Sequence, residues 1–260
     1  MSRPAAAARS VAALAALELR LTARRGENVL VTLVIPTAVL VFFASTSLLP
    51  GSPRERVDFL LPGSFALAII ATGLVSLGIA TAYERSYGVL KRLGGAPLPR
   101  WGLVGAKLAA VLALEVVQVA ALLLVASLAL GWAPGPGWSP MLAIVAVALG
   151  TVAFAGLGLL MAGTLRAEAT LALANGLFLG FLMLGGIVLP ITELPAFLQP
   201  VAAVLPATAL AELLRIALAS GLDAPLAVAP LAGAALGHAL VLLAWGVGAC
   251  ALAILTFRWD

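Results

Sequence analysis

Long apolar runs separated by short polar islands give this chain its pattern. A helix crossing a bilayer needs about 20 apolar residues at a rise of 1.5 Å each. Six runs reach that length, approximately Val29–Leu49, Phe59–Ala82, Leu108–Leu130, Pro140–Leu165, Thr170–Leu189 and Pro230–Phe257. None shows the short alternating segments that a membrane β-barrel requires. The pattern predicts an all-α integral membrane protein with six transmembrane helices, residues 28–260 forming one membrane domain.

Two segments fall outside this pattern. Residues 1–27 are too polar to span. Leu14, Leu17 and Leu21 share a helix face there, with Arg9, Arg20 and Arg24 on its flank. That arrangement predicts a tail followed by an interfacial helix lying on the membrane surface. The stretch 190–229 is too long for a tight turn and too apolar for a solvated loop, and Pro190, Pro195, Pro200, Pro206 and Pro225 divide it. Its part Ala207–Ser220 ends at Gly221, a good helix stop. That part would be about 20 Å long, too short to cross. Short re-entrant or outer helices between spans five and six are expected.

Composition agrees with the pattern. Of 260 residues, 63% are hydrophobic and 10% charged, against roughly 25% charged in soluble domains; the mean hydropathy is +1.16. The net charge of +4 matters less than its distribution. The N-terminal segment, the 83–107 loop, the 165–169 turn and the C-terminus together hold twelve Lys and Arg residues, and the opposite loops hold Arg54, Arg56 and Arg215. By the positive-inside rule both termini and the 83–107 loop face the cytosol.

Enzyme chemistry has little to stand on. There is no G-x-S-x-G or H-E-x-x-H motif, and the single Cys250 and single His238 make no metal set or internal disulfide. The two lysines follow Leu90 and Ala106, so neither completes a phosphate-binding G-x-x-x-x-G-K-[ST] loop. No nucleotide hydrolysis, metal or nucleic-acid partner is expected of this chain. A few polar residues do enter the apolar runs. Glu115 and Gln118 stand one turn apart in the third span, Glu115 about 12 Å in if the span begins near Lys107, and Asn175 lies in the fifth. A buried carboxylate is costly and should face the bundle or an aqueous cavity. It reads either as a substrate-path or proton-relay group or as a polar packing contact. His238 reads as a hydrogen-bond partner for a neighbouring helix, Gly176/Gly180 and Gly233/Gly237 as close-approach pairs, and Glu212 and Arg215 as a mutual ion pair.

The polar loop carries Glu84-Arg85-x-x-Gly88-x-Leu90-Lys91-Arg92-Leu93, then Ala96-Pro97-Leu98. Beyond the fifth span come Gly185-Gly186-x-x-x-Pro190, Leu194-Pro195, Pro206 and Glu212 to Arg215. These two elements, at these places in a six-span chain, resemble the permeases of type-2 ABC exporters, of the drug-resistance and polysaccharide or lipid branches. Ser86, Val89 and Ala96 depart from that family's loop pattern. The resemblance implies a permease subunit in the bacterial plasma membrane, working as a homodimer or with a related permease. Two separate ATPase subunits would bind ATP and Mg, and the permease would move an amphiphile out of the cytosol. It also implies that Glu84, Arg85, Gly88, Leu90, Lys91, Arg92 and Pro97 couple to the ATPase, with Arg100 and Lys107 as charge anchors. Glu115, Gln118 and Asn175 are the candidate path residues, and Gly186, Pro190, Pro195, Pro206, Glu212 and Arg215 mark the outer segment. The competing readings are a proton- or ion-coupled secondary transporter, which would hold several midplane charges, and a non-transporting membrane scaffold.

Overall fold

The computed structural model describes residues 12–21, 26–49, 51–90, 100–135, 137–218 and 228–256, and among them there are helices and no strands. A short helix α1 (residues 12–21) precedes α2 (Gly26–Ser45), α3 (Pro53–Ser86), α4 (Arg100–Ala129), α5 (Pro140–Thr164) and α6 (Ala167–Leu184). A 3₁₀ turn (Ile191–Glu193), α7 (Gln199–Ala203) and α8 (Pro206–Leu218) then lead to α9 (Val228–Thr256). The structure is an all-α membrane fold. Five helices are long and apolar enough to cross, and within α2 the apolar part among described positions is Thr32–Ser45.

Local chemistry explains the helix starts. Ser52-Pro53-Arg54-Glu55 is a capping box: Ser52 N–H donates to Glu55 Oε2 at 2.7 Å and Glu55 N–H to Ser52 Oγ at 3.3 Å. Pro53 opens α3 at a position where no N–H is needed. Pro140 does the same for α5 behind Ser139. The helix α3, at 34 residues, is about 50 Å long and exceeds the hydrocarbon thickness of about 30 Å. It therefore starts ahead of the expected Phe59 and runs through Ser86. Similarly α4 starts at Arg100 rather than Leu108. The polar island 83–107 is thus mainly two helix ends; only residues 91–99 between them lie outside the described residues.

The helices α3 and α5 form the core, 78% and 61% of their apolar 18-residue stretches being buried, against 22% in α6 and in α9, which present leucine-rich outer faces. From Ile70 to Ser76 the chain of α3 is π-helical, Leu77 N–H reaching the Thr72 carbonyl five residues back. This wider turn sets Gly73 and Gly78 against Gly158 of α5. A methyl on Gly158 would stand 2.5 Å from the Gly73 oxygen and 3.3 Å from Gly78 Cα. Glycine is required there because backbone meets backbone. The pairs Gly176/Gly180 and Gly233/Gly237, expected at helix contacts, have open space where a side chain would be. Small-residue spacing on a lipid-facing surface carries the same sequence pattern as a packed one, so only the rotation of α6 and α9 tells them apart.

The outer segment folds back onto the bundle. Nearly every residue of α8 is buried, against α3, α5 and α9. Ser139 N–H donates to Ala217 O at 2.8 Å, tying its end to the start of α5. Non-spanning backbone at such depth is stable when protein covers it.

Gly158→Ala is expected to lower stability by about 1–3 kcal/mol through overpacking against fixed backbone, whereas Gly176→Ala should leave it within about 0.5 kcal/mol. Thermal unfolding of the detergent-solubilised protein measures both.

Candidate functional site

The expected coupling residues stand where α3 leaves the bundle. Arg85 donates to the Leu165 carbonyl in the α5–α6 turn. Glu84 Oε2 accepts from Lys107 Nζ at 2.8 Å. Both side chains are bonded within the chain rather than presented outward. Gly88 follows at φ +71° with nothing within 4 Å of its Cβ direction, so it turns the chain on an open surface. Leu90 is fully buried with Leu14, Leu103 and Ala106. Lys91, Arg92 and Pro97 lie outside the described residues.

Lys107 corrects an expectation. As a charge anchor it should reach water, yet its side chain is 1% exposed and bonds Glu18 Oε1 and Glu84 Oε2 at 2.8 Å each. Because α4 begins at Arg100, Lys107 sits two turns inside a helix and faces the protein. Helix α1 accordingly buries Leu14 and Glu18, while Leu17 and Leu21, within the same arc of the helix, stay largely exposed.

Above this end a cleft of about 560 Å³ opens between α2, α3 and α6. Tyr83, Glu84 and Tyr87 line its basic end, Ser76, Thr32 and Asn175 its middle, and Ile35, Val75, Ile79 and Phe178 its apolar walls. The Tyr83 and Tyr87 rings lie 6.0 Å apart. A polar mouth below an apolar wall suits a molecule with a head and a greasy body.

The three candidate path residues are not brought together. Asn175 lines the cleft, its amide donating to Leu171 O at 2.9 Å. Gln118 is buried behind it, accepting from Thr72 at 3.0 Å and donating to Thr32 at 2.9 Å, so α2, α3 and α4 are tied at the π segment. Glu115, fully buried, faces α5 instead and accepts from Thr151; its Oε1 has no partner among the described residues. It lies about 22 Å along α4 rather than 12 Å, because the helix starts earlier. His238 is half-buried on α9. Thr32, Thr72 and Glu18 were not legible as site residues. Isolated hydroxyls in apolar runs, and a lone lysine within apolar Trp101–Leu114, are the signals that point to them.

At the opposite end Arg215 and Glu212 form the expected pair, at 2.6 Å. The Arg215 guanidinium also donates to the Gly186 carbonyl and lies 4.0 Å over the Phe59 ring. It thereby holds the bend after α6, where Gly186 has φ +66°, against α8 and α3. The prolines punctuate this segment: Pro190 accepts from Glu193 N–H at 3.0 Å, Pro195 from Leu198 N–H at 2.8 Å, and Pro206 opens α8.

Comparison with known proteins adds one match. A protein-family model described as ABC-2 type transporter matches residues 9–219, well over half the chain, from α1 through α8. A search of the curated proteins finds no match.

Arg215→Lys keeps a charge near Glu212 but cannot both stack on Phe59 and reach Gly186. Stability is expected to fall by about 1–3 kcal/mol, the cost of leaving a part-buried carbonyl unbonded. Thermal unfolding, with Arg215→Met as the harsher comparison, tests it.

Proposed function

The chain belongs to the ABC-2 type transporter family, and from that premise we propose that it is the membrane-spanning permease of an ATP-driven exporter. Two copies, or this chain with a related permease, form the pathway in a bacterial plasma membrane, crossing it six times each with both termini in the cytosol. Two ATPase subunits dock on the basic end and bind ATP and Mg. The cargo is an amphiphile of the drug, lipid or polysaccharide-carrier kind, and drug efflux would give antibiotic resistance.

One observation carries this reading. A single face of α3 runs from Glu84, at the docking end, through Ile79 and Ser76 to Ala71, with Tyr87 just past the helix end, and all of it lines the cleft. A rigid-body push on the docking stretch therefore displaces a cleft wall. Glu84 and Arg85 hold that stretch to α4 and to the α5–α6 turn; Gly88, Leu90, Lys91, Arg92 and Pro97 form the stretch itself. The sparse burial of α6 and the open space at Gly176 and Gly180 support a second permease or lipid against that side. The competing proton-coupled reading rests on Glu115, which does not line the cleft and bonds only Thr151 among the described residues.

A small ATPase with a phosphate-binding loop is expected in the adjacent reading frame and should co-purify with the chain. Replacing Gly88 with Val strains the turn at φ +71°, however open the space around it, so the docking stretch should be displaced and ATP-dependent dye export should fall by about tenfold or more. Glu115→Gln should leave export within about twofold. Its abolition of export would instead support proton coupling.

A further inference from the structure

Lys107 is the one lysine among the described residues, and it lies outside the coupling motif in the sequence. Its ammonium is enclosed between carboxylates from two other elements, Glu18 of α1 and Glu84 of α3, each at 2.8 Å. A second contact joins α1 and α4 to the chain just after α3: Leu14 of α1 packs with Leu103 and Ala106 of α4 and with Leu90. Beside the ion pairs a space of about 30 Å³, lined also by Thr72 and Ser76, reaches the π-helical turn. It has room for roughly one water.

An ammonium removed from water is held by its partners. Parting it from one carboxylate breaks a buried charge-assisted hydrogen bond, and parting it from both leaves a buried charge uncompensated, far costlier than breaking an exposed pair. Glu84 lies on the cleft wall at the head of the docking stretch. Glu18 lies on α1, whose Leu17 and Leu21 stay 49% and 40% exposed and are free to rest on lipid. Neither element can move alone without breaking the pair.

We propose that Lys107 is a positioning residue that latches the interfacial helix α1 to the ATPase-docking end of α3. Movement at the docking stretch then carries α1 and the start of α4 as one body, and the push reaches the bilayer surface as well as the cleft. The inference rests on the proposed permease function for its role in coupling, but the latch itself can be tested without an ATPase.

Spin labels at Arg20→Cys and Val89→Cys, in a Cys250→Ser background, report the α1–docking distance in the full chain reconstituted in phosphatidylcholine–phosphatidylglycerol vesicles. Lys107→Met should broaden a single narrow distance distribution, and Lys107→Arg should retain it. In complex with the co-purifying ATPase, Lys107→Met should bind normally but lose about tenfold of the stimulation of hydrolysis by the permease. An unchanged distance distribution in Lys107→Met overturns the latch, and so does a broadened one with full stimulation. If Lys107→Met does not fold, Glu18→Gln is measured in its place, with the same outcomes deciding. Should the wild-type chain neither bind nor stimulate any ATPase, the permease reading fails, while the distance measurement still decides the latch.

Discussion

Hydrocarbon supplies no hydrogen bonds, so a polar group carried into the bilayer must be met by protein. The backbone meets this demand by being helical, and the few polar side chains meet it by reaching across helices. Gln118 ties α4 to α2 and α3 through two threonines, and Glu115 ties α4 to α5 through Thr151. The same demand explains why α8, which cannot span, is buried against three helices. With hydrophobic exclusion weak between helices in lipid, these ties and close backbone packing decide how the helices sit.

At the two ends of the bundle the constraint takes an ionic form. Arg215 has a carboxylate, a carbonyl and an aromatic face around its guanidinium, and it fixes the bend after α6. Lys107 has two carboxylates, and it fixes where α1 and the end of α3 meet α4. Each cation joins three segments distant in sequence. Both therefore act as structural joints, and the cleft between α2, α3 and α6 lies above the joint at the basic end.

Much of the site was readable as residue identity and little as arrangement. Glu84 and Arg85 stood out by position, yet their partners, Lys107 and the Leu165 carbonyl, depend on how α4 and the α5–α6 turn come alongside α3. Glu115, Gln118 and Asn175 looked like one polar path because two of them are a turn apart. Helical rotation sends Glu115 toward α5 and Gln118 toward α2 and α3, and leaves Asn175 alone on the cleft wall. The expected glycine pairs failed for a related reason: a spacing of four places residues on one face without saying what that face meets. Among the glycines that do pack, Gly73 and Gly78 against Gly158 include a spacing of five that becomes one face only in the π-helical turn.

What the sequence alone determined is what depends on local composition: apolar lengths sufficient for helices across a bilayer, a concentration of basic residues in alternate loops, a segment between the last long helices too short to cross, and motifs that place the chain in its family. Each follows from residues near one another along the chain, because transfer into hydrocarbon and helix formation are settled segment by segment. The tertiary structure alone decided which face of each helix is turned inward. That choice buried Lys107 between Glu18 and Glu84, opened the cleft along α3 and left Gly176 and Gly180 uncovered. It depends on shape and charge meeting across helices, information that no single segment holds.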